Sequence, residues 1–270
     1  MLDKTKSLIK EIENIRKSRI LVVICHQSIS FQTSISLNKI LRKIKHLDRL
    51  DILLESGGGD IDSAYKILNL FKSYADKITV IVPFYAKSAA TLIALGADEL
   101  IICKAGELGP LDPQVRDPQT NSFVPAHSIK ETMSFIEEVH DPIMKLSLTD
   151  KIPALLIGAY RASGKSCKQY LDEIFIAKKI ENKDKMIKIF TEKFLSHGYP
   201  MHRDFLIKNN IALFDHDDIL EDKIYDLHEE YADYYKQLYC KKPEQRGELL
   251  LVQSNDHSLV MLGDEELDNT

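Results

Sequence analysis

Short apolar runs alternate with amphipathic segments along the first half of the chain. Four runs are almost wholly apolar and rich in β-branched residues, which predicts buried strands at 19–25, 51–54, 77–83 and 99–103. Between these runs, apolar residues recur at i, i+3 and i+4, which predicts helices at 31–44, 60–74 and 88–96. Apolar strands that are separated by helices are typical of a mostly parallel sheet covered on both faces.

Helical periodicity dominates the rest of the chain. An amphipathic helix is predicted at 4–17, and further helices are predicted at 128–139, 142–148, 153–162, 166–180, 184–195 and 222–239. Residues 196–217 have a mixed loop and helix pattern. Two apolar runs, 248–252 and 258–262, predict a small hairpin, and the last seven residues are predicted to be disordered.

These patterns predict an α/β fold with a helical C-terminal half. We expect an N-terminal helix (1–18), a main domain (19–240) and an acidic tail that holds the hairpin (241–270). Within the main domain, the α/β core is expected at 19–125 and the helical part at 126–240.

The composition is that of a soluble globular protein. Of the 270 residues, 44% are hydrophobic and 29% are charged, and the net charge is -5. Residues 241–270 hold three basic and seven acidic groups, so the acidity belongs mostly to the tail, and the chain lacks an overall basic footprint for nucleic acid. Its longest stretch without charged residues, 20–38, is continuously apolar only over 20–25, so no transmembrane segment is predicted. Four separate cysteines without a CxxC pair indicate free thiols and a cytoplasmic location.

A glycine run follows the second predicted strand. The segment Glu55-Ser-Gly-Gly-Gly-Asp60 stands between that strand and a helix. Glycine lets another chain approach closely, and free N–H groups at a strand-to-helix turn can face an anion. The segment matches neither the phosphate-loop pattern nor the dinucleotide-binding pattern. Taken alone, it fits a plain tight turn as well as an anion-binding loop.

A serine opens the helix after the third predicted strand. Ser88 is followed by small residues and lies where the N–H donors of a helix start are near, which favours a nucleophile. A serine at this place is also a common helix N-cap. Because the carboxyl ends of parallel strands meet at one edge of a sheet, the glycine loop and Ser88 are expected to face each other there. That is the geometry that acyl transfer needs.

The same residues resemble a known family. The segments that carry the resemblance are Asp51-Ile-Leu-Leu-Glu-Ser-Gly-Gly-Gly-Asp60, residues 78–100 around Ser88, and Leu108-Gly-Pro-Leu-Asp-Pro-Gln114. They are similar to the Clp-fold serine peptidases, and most of all to the serine dehydrogenase proteinase (SDH) subgroup, relatives of signal peptide peptidase A. His197-Gly-Tyr-Pro-Met-His202 extends the resemblance more weakly toward the C-terminus.

The resemblance implies a fold, an activity and a set of site residues. The fold is ClpP/crotonase-like, built of repeated ββα units and often assembled into homo-oligomers. The activity is hydrolysis of a peptide or protein substrate with Ser88 as nucleophile, and it needs no metal and no cofactor. Gly58 and Gly59 match the oxyanion-loop glycines, and the N–H of Ala89 is the second donor. An extended peptide would bind beside the glycine loop by β-addition.

Several residues are candidates for the general base. Aligned on the serine, the histidine of ClpP falls in 110–114, where this chain has no histidine and Asp112 could orient a neighbour, bind a substrate amine or simply form a turn. Related peptidases use a Ser-Lys dyad, and the spacing of one branch points to Lys130, whose pKa would have to fall from about 10.4 to nearer 7–8. The alternative bases are His127, His197 and His202.

Two other functions fit the same resemblance. Crotonase-type enzymes use similar oxyanion loops on acyl-CoA thioesters, and the missing ClpP-type histidine would suit an inactive oligomeric binding module. The serine flanked by small residues favours the peptidase. Processive unfolding would require a separate regulatory partner, because the chain has no ATPase module.

Overall fold

The computed structural model of the chain describes residues 2–116, 123–152, 154–211 and 213–267. The helices in these ranges are α1 (Leu2–Arg16), α2 (Phe31–Ile44), α3 (Ile61–Tyr74), α4 (Ala89–Gly96), α5 (Ala126–Glu138), α6 (Pro142–Thr149), α7 (Ala154–Ala177), α8 (Lys183–Thr191), α9 (Arg203–Lys208) and α10 (Asp218–Lys241). The strands are β1 (Arg19–Cys25), β2 (Leu47–Ser56), β3 (Ala75–Val82), β4 (Tyr85–Ala86), β5 (Glu99–Ile102), β6 (Glu107–Leu108), β7 (Gln114–Arg116), β8 (Phe123–Pro125), β9 (Met201–His202), β10 (Leu249–Gln253), β11 (Ser258–Leu262) and β12 (Glu265–Leu267).

A ten-stranded mixed sheet forms the centre of the fold. Its order is β12-β11-β10-β1-β2-β4-β6-β9, and β3 pairs with both β2 and β5. The four strands predicted from apolar runs are β1, β2, β3 and β5, and they pair in parallel, which confirms the predicted α/β core. Strand β2 starts earlier than predicted, at Leu47, because its first three residues are only partly covered and carry little apolar signal.

The C-terminal hairpin belongs to the same sheet. Strands β10 and β11 form the predicted hairpin, and β10 also pairs antiparallel with β1, with Val252 opposite Val23. Leu251 and Val260 are buried in the same core as the residues of β1. The segment that the sequence sets apart as a tail therefore extends the α/β core.

Helices cover the sheet on both faces. α1 and α10 pack against each other and place Ile9, Ile12, Ile224 and Leu227 in the core with the inward-facing residues of β1. α2, α3 and α4 pack in series and contact β10, β3 and β2. The amphipathic pattern of α1 is thereby explained by docking within the chain, with Ile15 left 40% exposed at its edge.

The contacts of the described residues divide the chain into two compact units. The first unit holds residues 1–109 and 200–270, and the second holds 110–199. The sequence places its boundary at 125 instead, where the helical pattern begins. The sheet explains the difference, because β6 is the last strand before 110 and β9 returns the chain to pair with β6.

The second unit consists of helices and one short hairpin. β7 and β8 pair antiparallel, and the sequence did not predict them because each has only three residues. The two helices predicted at 153–162 and 166–180 are one continuous helix, α7, because Ser163 and Gly164 lie within its regular turns without a proline to break it. Of the described helices of the whole chain, none combines the length and the apolar character that crossing a bilayer requires.

A buried carboxylate ties α10 to the sheet of the first unit. Glu55, near the end of β2, lies 3.1 Å from Nε2 of His26 and 2.6 Å from Nε2 of His228, and His26 Nδ1 lies 2.9 Å from the hydroxyl of Tyr239. We call these four residues the Glu55 cluster. Burial alone would raise the pKa of Glu55, but the hydrogen bonds from His228 and His26 outweigh it and lower the pKa to about 2.

The Glu55 cluster makes the stability of the first unit depend on pH. The pKa of Glu55 is lower in the folded chain than in the unfolded chain, so the stabilisation by its charged form is complete above about pH 4.5 and is lost as the pH falls toward 2. We expect Glu55→Gln to lower the free energy of unfolding by about 3 kcal/mol at pH 7, and by less at pH 3.5. Urea unfolding at both pH values measures the difference.

The matched control is Asp76→Asn, which removes the carboxylate of an exposed pair with His46. Exposed pairs contribute little, so we expect a change below about 0.5 kcal/mol at pH 7. An equal loss for Glu55→Gln at both pH values would show that the charge of Glu55 is not the source of its stabilisation.

Candidate active site

Ser88 occupies a strained backbone conformation. It lies between β4 and the first residue of α4, with φ 50° and ψ -123°. A positive φ in a residue with a side chain costs of the order of 1–3 kcal/mol and is found mostly at functional sites. The side chain is half-buried and makes no capping hydrogen bond to α4. Ser88 thus opens the helix without acting as its cap, unlike the common N-cap serine.

Backbone and side-chain hydrogen bonds hold this turn. The N–H of Lys87 donates to the carbonyl of Ser56 at 2.9 Å, and the N–H of Thr91 donates to the carbonyl of Ser88 at 2.8 Å. The hydroxyl of Thr91 lies 2.7 Å from the carbonyl oxygen of Ala86 and accepts the N–H of Gly109 at 3.1 Å. The strained turn is therefore fixed from β2 on one side and from the segment after β6 on the other.

The glycine loop lies directly against the serine turn. A Cβ atom on Gly58 would stand 2.7 Å from the Lys87 carbonyl oxygen, 2.7 Å from the Ser88 Cβ and 3.0 Å from the Ala89 nitrogen. The φ of Gly58 is also positive, at 102°. Only glycine both lacks a Cβ and readily adopts a positive φ. The contact between Gly58 and Ser88 agrees with the expectation that the glycine loop and the serine face each other at one edge of the sheet.

The N–H groups of Ala89, Gly59 and Gly58 differ in their availability. Ala89 begins α4, so its N–H has no acceptor within the helix. Gly59 forms an isolated bridge with Ile29, and the hydrogen bonds of that bridge use the carbonyl of Gly58 and the N–H of Asp60 rather than the N–H of Gly59. The N–H of Gly58, in contrast, donates to the hydroxyl of Ser56 at 3.1 Å.

The side chain of Lys87, the residue before Ser88, pairs with Glu107. Lys87 Nζ lies 2.5 Å from Glu107 Oε1 and donates to the carbonyl of Leu108 at 3.2 Å. Glu107 also faces His202 across the β6–β9 pair, with Nδ1 of His202 3.7 Å from Glu107 Oε2. Of these residues, only His202 is singled out by the sequence as a possible base, and its side chain is 65% exposed. No sequence pattern marks Glu107 as a site residue, because its strand has only two residues.

Two other predicted site residues meet within the second unit. Nδ1 of His197 lies 4.0 Å from Oδ2 of Asp112, and the Asp112 side chain is 9% exposed against 26% for His197. This distance is longer than a hydrogen bond but within the range of an ion pair. The sequence names both residues separately, and the fold of the second unit brings them together.

Lys130 also lies in the second unit, exposed on α5. It lines a cavity of about 600 Å³ together with Asp112, Tyr160 and Glu192. The pKa of Glu192 is lowered, first by a hydrogen bond from Lys168 at 2.6 Å and further by the charge of Lys130. The side chain of His127 lies outside the described residues.

Known proteins resemble the chain at the level of sequence and of fold. The uncharacterized protein MJ1495 of Methanocaldococcus jannaschii is 29% identical over 206 residues, which cover 72% of this chain. The aligned part is 65% of MJ1495, so the chain spans slightly less than two thirds of the length of that relative.

Solved structures and a family model complete the comparison. A serine-to-alanine mutant of the 1510-N membrane-bound stomatin-specific protease matches with a TM-score of 0.45 and 16% identity, covering 73% of this chain and 79% of the other. A mutant of ClpP1 from Listeria monocytogenes matches with a TM-score of 0.41 and 12% identity, covering 78% and 99%. The model of the ClpP-like SDH-type serine proteinases matches residues 1–244. With most of its length matched by this model, the chain belongs to the ClpP-like SDH-type serine proteinase family.

Proposed function

We propose that the chain is a serine peptidase that hydrolyses peptide bonds through an acyl-enzyme on Ser88. The observation that carries this proposal is the strained serine at the start of α4, against which the backbone of Gly58 is packed. Membership of the serine proteinase family supports the same chemistry over the acyl-CoA alternative.

The reaction follows from the groups around Ser88. The Ser88 hydroxyl gives its proton to the base while its oxygen adds to the scissile carbonyl, and the oxyanion that forms needs N–H donors. Ala89 supplies one donor and Gly59 a second, while Gly58 contributes its N–H only if it leaves the hydroxyl of Ser56. When the tetrahedral intermediate collapses, the C–N bond of the peptide breaks and the leaving amine takes the proton from the base. Water then hydrolyses the ester on Ser88.

Lys130 is our proposed base, with His197 as the alternative. Lys130 fits the spacing of the Ser-Lys branch, but it is exposed, so substrate binding or the assembly of copies would have to desolvate its amine. His197 is the alternative because its Nδ1 lies 4.0 Å from the carboxylate of Asp112, whose charge could orient the imidazole. His127 and His202 are further alternatives.

The family membership supports our proposals for substrate and assembly, and the four free cysteines support the proposed location. We propose that an extended peptide binds beside Gly59, that the active form is a homo-oligomer, and that it works in the cytoplasm. A separate partner would be needed to unfold large substrates.

Removing the nucleophile tests the proposal directly. Ser88→Ala should lower peptide hydrolysis by at least about 10⁴-fold, because the acyl-enzyme cannot form. The thermal midpoint should stay within a few degrees of the parent, since the Ala89–Gly96 helix and its hydrogen bonds remain. Turnover of a fluorogenic peptide library, together with labelling of Ser88 by a fluorophosphonate, measures this.

Ser73→Ala is the control, because Ser73 is exposed on α3 and its hydroxyl donates to the carbonyl of Asn69 in the same helix. Equal hydrolysis by Ser88→Ala and the parent would contradict the assignment. A folded parent that neither hydrolyses any peptide nor labels would support the inactive binding module instead.

The glycine loop gives a second test with a control one residue away. Gly58→Ala should lower kcat by at least about 10²-fold, because the added methyl group overlaps the serine turn and displaces the N–H donors. Gly57→Ala should retain most of the activity, since a Cβ there meets no atom within 4 Å. Similar kcat values for both variants would remove the glycine loop from the mechanism.

The base is identified by comparing two variants. Lys130→Ala should lower kcat/KM by at least about 10²-fold, whereas Lys151→Ala, an exposed lysine of the same unit, should not change it. In the parent, the rate should rise with pH through the apparent pKa of the base, because only the deprotonated form accepts the Ser88 proton. Loss of activity in His197→Ala with Lys130→Ala unaffected would assign the base to His197.

A further inference from the structure

Three side chains of different chemistry converge in the first unit, on elements that the peptidase chemistry does not use. Cys103 follows β5, His216 precedes α10, and Glu221 lies in the first turn of α10. Their donor atoms, a thiol sulfur, an imidazole nitrogen and a carboxylate oxygen, all lie within 4.8 Å of one another. We propose that these three residues bind a divalent transition metal ion of the Zn²⁺ class, and we call them the Cys103 site.

The spacing of the donors suits one small ion. Zn²⁺ binds sulfur at about 2.3 Å and nitrogen or oxygen at about 2.0–2.2 Å, which places two donors of one tetrahedral ion about 3.5 Å apart. Nε2 of His216 already lies 2.9 Å from Oε2 of Glu221. Side-chain shifts of about 1 Å therefore bring all three donors to one ion, with a water molecule as fourth ligand.

Neighbouring groups hold the carboxylate of the Cys103 site in place. Oε1 of Glu221 accepts the backbone N–H of Lys104 at 2.6 Å and the hydroxyl of Tyr225 at 2.8 Å. Such outer hydrogen bonds are typical of metal sites, where they orient the ligands. They leave Oε2 on the side of His216, where the ion is expected.

The histidine has an unsatisfied nitrogen inside the protein. The His216 side chain is 5% exposed, and within the described residues its Nδ1 atom is buried without a hydrogen-bond partner. A buried polar atom in that state is rare. Because Nδ1 makes no hydrogen bond, nothing at that nitrogen fixes the ring, and Nε2, which faces Oε2 of Glu221, is the nitrogen that would bind the ion.

A mixed set of sulfur, nitrogen and oxygen selects the metal by its chemistry. Thiolate and imidazole favour Zn²⁺ and Co²⁺ over Mg²⁺ or Ca²⁺, which bind oxygen. Binding forms the metal–sulfur bond and releases the thiol proton of Cys103 to the solvent. Cys103 is 0% exposed, so a substrate cannot reach its thiol, which excludes a nucleophilic role. The bound ion would link the end of β5 to the start of α10 and so stabilise the first unit.

Cobalt titration of the reduced full-length chain tests the Cys103 site. We expect one equivalent of Co²⁺ to bind and to produce a near-ultraviolet charge-transfer band from the thiolate, and Zn²⁺ to displace it and raise the thermal midpoint. Cys103→Ser should abolish the band, and His216→Gln and Glu221→Gln should weaken the binding at least about 100-fold.

Two other cysteines supply the controls. Cys167→Ser removes a buried thiol in the second unit, and Cys240→Ser removes the exposed thiol, so both variants should keep the band and the midpoint shift. Absence of a stoichiometric band in the parent, or its persistence in Cys103→Ser, would overturn the proposal. Should Cys103→Ser fail to fold, the unchanged affinity of folded His216→Gln would overturn it equally.

Discussion

The register between β2 and β4 is the interaction on which the candidate active site depends. Ser56 stands opposite Ala86 in parallel pairing, and the carbonyl of Ser56 accepts the N–H of Lys87. Two residues further along each strand, Gly58 and Ser88 are forced into contact. A shift of one residue would turn the side chains of β4 to the other face and separate the loop from the serine.

The end of β2 serves two purposes on its two faces. Successive residues of a strand point to opposite sides, so the side chain of Glu55 faces α10 while that of Ser56 faces the glycine loop. Glu55 binds His26 and His228 and fastens the helix, and Ser56 accepts the N–H of Gly58. Stability on one face and the shape of the glycine loop on the other thus come from adjacent residues of one strand.

The residues proposed for catalysis come from both units. The first unit holds Ser88, the proposed nucleophile, and the N–H groups of Gly59 and Ala89, which follow the ends of strands β2 and β4. The second unit holds the proposed bases, Lys130 and His197, on helices and loops. A rigid sheet suits residues that need fixed backbone geometry, whereas a base can act from a side chain with more freedom.

The amino-acid sequence by itself determined the parallel core, the C-terminal hairpin and the loop and serine that face each other, because apolar runs and small residues are local signals. It did not reveal that β10 pairs with β1, that α7 is continuous, or that β9 closes the sheet. The Glu55 cluster and the Cys103 site also had no signal, since their members lie far apart in the chain. Only the tertiary structure decides such contacts, because packing, and not local preference, brings distant side chains together.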